Sequence, residues 1–180
     1  MMKTTWKVLG MLALVAGMFG CRCMAPGSKN VFTAQLSGQQ EMPAVTTDAS
    51  GTARFYVNQN DSKVHYKLVV HQLTDVTMAH LHLGMIGANG EPIVGLYPKE
   101  MSSMEMPSMG IGMTKEIHGT FNGVLAKGSF TTNDLAGFMK GKTIADLVSE
   151  IKQGDVYINV HTKQHPDGEI RGQLHAATMP

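Results

Sequence analysis

The 180-residue chain carries a formal net charge of +1 at pH 7, from 15 basic and 14 acidic side chains, and 43% of its residues are hydrophobic. This length suits one compact domain with a full core. The near-neutral charge argues against nucleic acid as a partner, because nucleic-acid binding requires clustered basic side chains.

The first 20 residues predict an export signal. Lys3 and Lys7 form a short basic start, and the apolar stretch 8–20 is too short to span a bilayer comfortably. The stretch ends at Gly20-Cys21, an arrangement at which bacterial lipoproteins are cleaved and acylated on the cysteine. We therefore expect an exported protein of the periplasm, outer membrane or cell surface that contacts the membrane through lipid on Cys21 alone. Plain secretion is the alternative.

Residues 21–30 have the composition of a tether. Removal of residues 1–20 lowers the formal net charge by two, from +1 to −1. Both cysteines of the sequence, Cys21 and Cys23, lie at this N-terminal edge. A disulfide framework is therefore not expected, and burial of apolar side chains must stabilise the domain.

Short runs of alternating apolar and polar residues follow the tether and predict an all-β sandwich or barrel. Turn signals such as Asn-Gly and Asp-Gly separate these runs. The predicted strands are 31–38, 51–59, 63–73, 76–84, 91–98, 116–123, 155–162 and 168–176.

One segment has a helical rather than an alternating pattern. Apolar side chains recur at helical spacing from Ile144 to Ile151, between Thr143 as an N-cap and Gly154 as a stop. The pattern predicts one or two short helices near residues 133–153, across one end of the β-structure.

The histidines indicate a candidate metal site. In a β-strand, residues two apart point to the same face, so His80 and His82 would stand side by side. In the predicted strand 155–162, His161 lies on the face opposite the apolar row, and His165 follows in a turn. If the two strands are close, His80, His82 and His161 converge as three imidazole donors, with His165 or a thioether as the fourth ligand. The alternative is a solvated sheet face decorated with histidines.

The other four histidines are expected at the protein surface: His65, His71, His118 and His175.

A methionine-rich segment within the predicted loop 99–114 is a second candidate metal site. Its Ser, Pro and Gly residues oppose a helix, so its methionines do not form a helical core stripe. Thioethers bind Cu(I), and they resist oxidation outside the cytoplasm better than thiols. The alternative is an insertion without metal affinity. The candidate ligands, all within residues 101–113, are Met101, Met104, Met106, Met109 and Met113.

Three blocks of the sequence resemble the CHRD (chordin-type) domain in order and spacing. They are FTAQLSGQQEMPAVTTDASGTARF, AHLHLGMIGANGEPIVGLYP and GDVYINVHTKQHPDGEIRGQL. The resemblance covers residues 31–176 and implies an extracellular Greek-key β-sandwich or barrel of the kind that also occurs alone in exported bacterial proteins. It implies no settled biochemical activity. The methionine-rich insertion departs from the usual pattern of the family.

These observations predict a copper-binding protein, for copper tolerance or delivery, that uses the histidine site and the methionine-rich segment to hold Cu(I), Cu(II) or both. No catalytic motif is evident, so an enzyme is not expected. One alternative is an adhesion or protein-binding module without metal, although no particular protein partner is indicated. Another is a copper-dependent oxidoreductase, because the His-x-His block resembles the copper-ligand strand of copper–zinc superoxide dismutases. That resemblance is one of fold and does not establish activity.

Overall fold

The computed structural model describes residues 30–98 and 117–177. Within these ranges, three single 3-10 turns (Gly38–Gln40, Thr132–Asp134 and Gly137–Met139) and one α-helix, α1 (Ile144–Gln153), accompany nine β-strands. The strands are β1 (Val31–Ser37), β2 (Ser50–Val57), β3 (Lys63–Thr74), β4 (Val76–Leu83), β5 (Glu91–Tyr97), β6 (Thr120–Thr131), β7 (Val156–Thr162), β8 (Ile170–Gln173) and β9 (His175–Ala176).

The strands form one antiparallel sheet that curls into a nearly closed barrel. Their order is β5-β4-β7-β8-β1-β2-β3-β6, and β9 pairs with β1 beside β8. The two end strands, β5 and β6, approach each other and almost complete the barrel. The Tyr66 hydroxyl of β3 donates a 3.0 Å hydrogen bond to the Leu96 carbonyl of β5 near this opening. The prediction of an all-β sandwich or barrel is confirmed.

Alternation along the strands builds the core. Every second residue of β2, from Gly51 to Val57, is buried, while the residues between them are exposed. The inward side chains of the other strands meet these in one hydrophobic cluster. Burial of such side chains is the main driving force for folding here. The largest apolar side chains below 2% exposure are Phe32, Phe55, Leu68, Leu73, Leu81, Ile93, Leu96, Ile144, Leu147, Ile158 and Ile170.

The strand predicted at 116–123 was placed too early and made too short. β6 begins at Thr120 and continues to Thr131. Its pairing with β3 shifts register between Leu68 and Val69, and again between Val70 and Leu73. A β-bulge interrupts the alternation of side chains between the two faces, so the period-two pattern fades where the strand continues.

The helical segment follows the prediction. Thr143 caps α1, since its hydroxyl accepts a 3.1 Å hydrogen bond from the Asp146 amide, and Gly154 ends the helix at φ +86°. The apolar stripe of α1 is buried against the barrel. None of the helices in residues 30–98 and 117–177 is both long and apolar enough to cross a membrane.

Candidate metal centre

The candidate site lies on the outer face of β4 and β7, which are neighbours in the sheet. Met78 pairs with His161, His80 with Asn159, and His82 with Tyr157. Side chains of directly opposed residues in antiparallel strands project from the same face. Three consecutive pairs therefore place the His-x-His block of β4 beside the Tyr-x-Asn-x-His row of β7.

Three imidazoles converge on this face. Each of His80, His82 and His161 offers one ring nitrogen, and these nitrogens all lie within 4.8 Å of one another. The shortest approach joins His80 Nδ1 to His161 Nε2 at 3.4 Å. Two nitrogens bound to one tetrahedral metal at about 2 Å are separated by roughly 3.3 Å. This pair has the spacing that shared coordination requires, whereas the 4.8 Å bound on the whole cluster exceeds the roughly 4 Å that two such bonds can span.

Backbone carbonyls orient two of the three rings. His82 Nδ1 lies 2.9 Å from the Gly90 carbonyl, and His161 Nδ1 lies 2.8 Å from the Pro166 carbonyl. A carbonyl oxygen can only accept a hydrogen bond, so each Nδ1 carries a proton and donates. The Nε2 atom of each neutral ring is then left with its lone pair. In metal sites, ligating histidines are typically held by this kind of hydrogen bond from their other nitrogen.

All three rings are held neutral. Burial, reinforced by the imidazoles of His161 and His82, lowers the pKa of His80 to about 4. Burial also lowers the pKa of His82 and of His161, against the opposing effect of their bonds to Gly90 and Pro166. A neutral imidazole is the form that binds a metal.

A loop covers one side of the cluster. Residues 84–90 pack over the outer face of the sheet, and the buried Arg171 guanidinium holds this loop in place by hydrogen bonds. It donates to the carbonyls of Met85 (3.1 Å) and Ala88 (2.9 Å) and to Asn89 Oδ1 (3.3 Å). The Arg171 guanidinium also lies 3.4 Å from the centre of the Tyr157 ring. That ring stacks in turn on His82, with centroids 4.9 Å apart.

Two further polar side chains lie buried beside the histidines. Asn159 is 3% exposed and Glu41 is 4% exposed. Asn159 Nδ2 donates to the Asp167 carbonyl at 3.5 Å, which leaves Asn159 Oδ1 buried without a hydrogen-bond partner. Glu41 Oε1 and His82 Nε2 are likewise buried and unpartnered. Buried polar atoms normally find partners, so these three unsatisfied atoms indicate polar groups that a ligand, an ion or water would satisfy.

Burial raises the pKa of Glu41 to about 7, although the charge of Arg171 and the Met42 amide oppose this change. Glu41 Oε1 and Asn159 Nδ2 both lie within 3 Å of the position that a Cβ atom would occupy on Gly168. Both side chains therefore pack against Gly168 where a Cβ atom would stand, and φ there is +131°, so glycine is required at this position.

The structure brings together three of the four predicted histidine ligands. His80, His82 and His161 form the cluster, but His165 does not join it. The turn explains why, because the His165 carbonyl accepts hydrogen bonds from the amides of Thr162 (3.2 Å) and Gly168 (3.1 Å). The ring of His165 is half-exposed there, and it is the Pro166 carbonyl that meets His161. The described arrangement thus gives no support to His165 as the fourth ligand, which stays a prediction.

The alternative of a solvated face is wrong for this part of the sheet, because His82 is 8% and His161 7% exposed. The histidines that were expected at the surface are all exposed: His65, His71, His118 and His175. Met101, Met104, Met106, Met109 and Met113 lie outside the described residues, as does Cys21 with the rest of the predicted signal and most of the tether.

Sequence reasoning missed the residues that support the site. Glu169 accepts hydrogen bonds from the hydroxyls of Thr47 and Thr162, both at 2.7 Å, while Arg171 holds the loop. Gly90 lies at the end of that loop. A Cβ atom on Gly90 would overlap the Leu83 carbonyl, so only glycine fits at this position. The Gly90 carbonyl accepts the hydrogen bond from His82 Nδ1. The one available signal was the alternation of β7, which puts Tyr157 and Asn159 on the face of His161.

A family profile described as the CHRD domain matches residues 32–174, across the whole barrel and the histidine cluster. The chain belongs to the CHRD domain family. It is also 30% identical over 145 residues to chordin from Xenopus laevis. That alignment covers 78% of this chain and 12% of chordin, so the CHRD domain corresponds to a small part of this relative. No solved structure matches the chain.

Proposed function

We propose that this CHRD-domain protein binds a copper ion through His80, His82 and His161 and acts as a binding protein, not as an enzyme. One observation carries the proposal: nitrogens of three neutral rings lie within 4.8 Å of one another, and two rings are oriented by carbonyls. Three imidazoles suit Cu(II) or Zn(II), and the general order of affinities for divalent metals favours Cu(II).

Asn159 Oδ1 completes the proposed ligand set. Asn159 is paired with His80 across the strands and is flanked on β7 by Tyr157 and His161, so it lies at the base of the cluster. Its Oδ1 atom is buried without a well-formed hydrogen bond, and its side chain interacts with the ring of His82, whose Nε2 is buried in the same way. An amide oxygen is a harder donor than a thioether, and it therefore favours the divalent ion over Cu(I) in the folded site.

The methionine-rich segment supplies the second part of the proposal. Its thioethers, Met101, Met104, Met106, Met109 and Met113, are proposed to capture Cu(I). The described residues that flank the segment both lie along β4: Tyr97 pairs with Ala79, and the Ile117 amide donates to the Val76 carbonyl at 3.3 Å. Between these points Met78 stands 40% exposed, opposite His161. A thioether is thus exposed beside the histidine cluster, on the side where the segment joins the barrel.

We place this function outside the cytoplasm. The apolar stretch 8–20 and Cys21 support export with lipid attachment, and copper tolerance or delivery is the biological role proposed. Direct sequencing and mass measurement of the N-terminus of the mature protein test this part. A mature chain that begins at an acylated Cys21 is expected, and retention of residues 1–20 would contradict export by this signal.

Metal titration tests the central claim. The intact chain is expected to bind one Cu(II), followed by isothermal titration calorimetry and by electron paramagnetic resonance with nitrogen hyperfine structure. H82A/H161A is expected to abolish this binding. H65A/H71A is the matched control, since it removes two exposed histidines from another strand. Absence of stoichiometric copper, or equal loss in both double variants, would contradict the proposal.

The methionines are tested separately. Replacement of the five methionines with leucine is expected to remove Cu(I) binding measured anaerobically under reducing conditions, while the Cu(II) signal of the histidine site persists. Loss of both together would show that the two sites are not separate.

A protein-binding module is the second candidate. The relationship to chordin supports it, together with the exposed side chains of Met85 (61%) and Ile86 (79%) on the loop that covers the histidines. In that case deletion of residues 101–113 would alter the binding of a protein partner and leave copper tolerance unchanged.

A further inference from the structure

A second face of the barrel carries a row of cations on strands that contain no acidic residue. On the outer surface of adjacent strands, Arg54 of β2 pairs with Lys67 of β3, and Lys67 pairs with Lys127 of β6. All three side chains are exposed. Neighbouring strands are about 4.8 Å apart, so the three cations form a line roughly 10 Å long across the sheet.

The strands that form this face carry no acidic side chain of their own. The strands β1, β2, β3, β6 and β9 contain no aspartate or glutamate, although the chain has 14 of them. The same face carries a fourth cation, Lys63, and three exposed histidines, His65, His71 and His175. Like charges directly opposite each other on a sheet are destabilising. The uncompensated row is thus a feature that folding alone does not favour.

The surroundings of the row suit a sugar chain. On one side, the Tyr56 and His65 rings stack with centroids 6.2 Å apart, and Tyr56 is 41% exposed. On the other side, a groove is lined by Thr33, Gln35 and Thr52 together with Arg54 and Lys67. An exposed ring offers an apolar platform for a sugar ring, and hydroxyl and amide groups can exchange hydrogen bonds with sugar hydroxyls.

We propose that this face, the basic row with its groove and aromatic pair, binds an anionic polysaccharide. The charge complementarity comes from Arg54, Lys67 and Lys127, and the linear arrangement matches an extended polyanion. An anionic lipid surface fits less well, because Val69 and Val124 are the only aliphatic side chains on the outer face of β3 and β6 beside the row. The proposal is independent of the copper site, which lies on β4 and β7.

Binding of dextran sulfate to the intact chain tests the proposal, with uncharged dextran of equal length as the reference probe. We expect saturable binding of dextran sulfate that weakens with salt, and no binding of dextran. The variant R54Q/K67Q/K127Q is expected to bind dextran sulfate at least about tenfold more weakly at low ionic strength. All three sites are exposed, and a melting temperature no lower than that of the original chain verifies that the variant is folded.

K140Q/K142Q/K152Q is the matched control. It removes the same number of exposed positive charges from the helical region, and its affinity for dextran sulfate is expected to stay within about twofold of the original. Equal weakening in both triple variants would overturn the proposal, since bulk charge alone would then explain binding. Failure of the original chain to bind dextran sulfate would also overturn it. So would binding to anionic phospholipid vesicles with no binding to the polysaccharide, which would make the face a membrane surface.

Discussion

Two regions of the outer surface of this barrel have the same alternating sequence pattern but differ in solvent exposure. On β2 and β3, the outward residues stand in solvent, as Arg54, His65 and Lys67 do. On β7, the outward residues Tyr157, Asn159 and His161 are all buried. The difference arises from what lies above the sheet, because the loop 84–90 and the turn 162–168 cover β7, while none of residues 30–98 and 117–177 covers β2 and β3 in this way. Covered polar groups must find partners, whereas exposed ones are satisfied by water.

The covered face should therefore be far more sensitive to substitution than the open one. The largest effect is expected from R171M, which keeps the bulk of the buried side chain but leaves the carbonyls of Met85 and Ala88 without their donor. We expect a loss of about 4 kcal/mol in the free energy of unfolding, measured by urea denaturation. The matched change on the open face, R54M, should cost less than about 0.5 kcal/mol. Similar losses of unfolding free energy in R171M and R54M would show that the covered and open faces do not differ in their sensitivity to substitution.

G90A tests the cover itself. A Cβ atom at this position would overlap the Leu83 carbonyl, so the loop must move away from His82. We expect a loss of about 3 kcal/mol in the free energy of unfolding and weaker copper binding. G95A on β5 is the control, because a Cβ atom there has no neighbour within 4 Å. If G90A retains both stability and copper affinity, the Gly90 carbonyl does not orient His82.

The pH dependence of stability reports on the buried carboxyl beside the covered face. The pKa of Glu41 is raised from 4.5 to about 7 in the folded protein. The folded state therefore binds more protons than the unfolded state between these values. The stabilising contribution of the protonated carboxyl is fully present below pH 4.5 and is lost as the pH rises through about 7.

E41Q keeps the neutral form at every pH. The stability of the original chain relative to E41Q is expected to fall by about 3 kcal/mol from pH 4 to pH 8, measured by urea denaturation in the presence of a chelator. Subtracting the free energy of unfolding of E41Q from that of the original chain removes the contribution of the histidines, which both proteins share. A constant difference across this range would show that the pKa of Glu41 is the same in the folded and unfolded states.

The smallest effect is expected on the open face. K67E places a carboxylate between Arg54 and Lys127 and replaces two repulsive cross-strand pairs with attractive ones. The free energy of unfolding should rise by about 0.5 kcal/mol at low ionic strength, and the gain should vanish in 1 M salt. A loss of stability would indicate that the Lys67 side chain makes stabilising contacts with the protein and is not simply solvated.

The alternation of apolar residues was enough to predict most of the fold. β1 to β5 and β7 begin and end within two residues of the predictions, because period-two patterns and turn residues mark them. β6 was misplaced where bulges interrupt the alternation. α1 was predicted because Thr143 and Gly154 mark both of its ends.

Only the outward-facing histidines of β4 and β7 in the candidate site could be predicted from the sequence. The positions of His80, His82 and His161 follow from strand parity once β4 and β7 are neighbours, and that pairing places His80 opposite Asn159. The roles of Glu41 and Arg171 do not follow, because they depend on which loops fold over the sheet. The alternation of side chains along a strand determines which face each one occupies, but it does not determine whether that face is exposed to solvent.

The order of the proposed site along the chain sets when its histidines can first be complete. His80 and His82 are translated about 80 residues before His161, and the loop-fastening Arg171 follows His161. A nascent chain that has reached only residue 160 therefore lacks both the third nitrogen and the anchor of the cover. The proposed histidine site can hold an ion only once residue 171 has been translated and the barrel has folded.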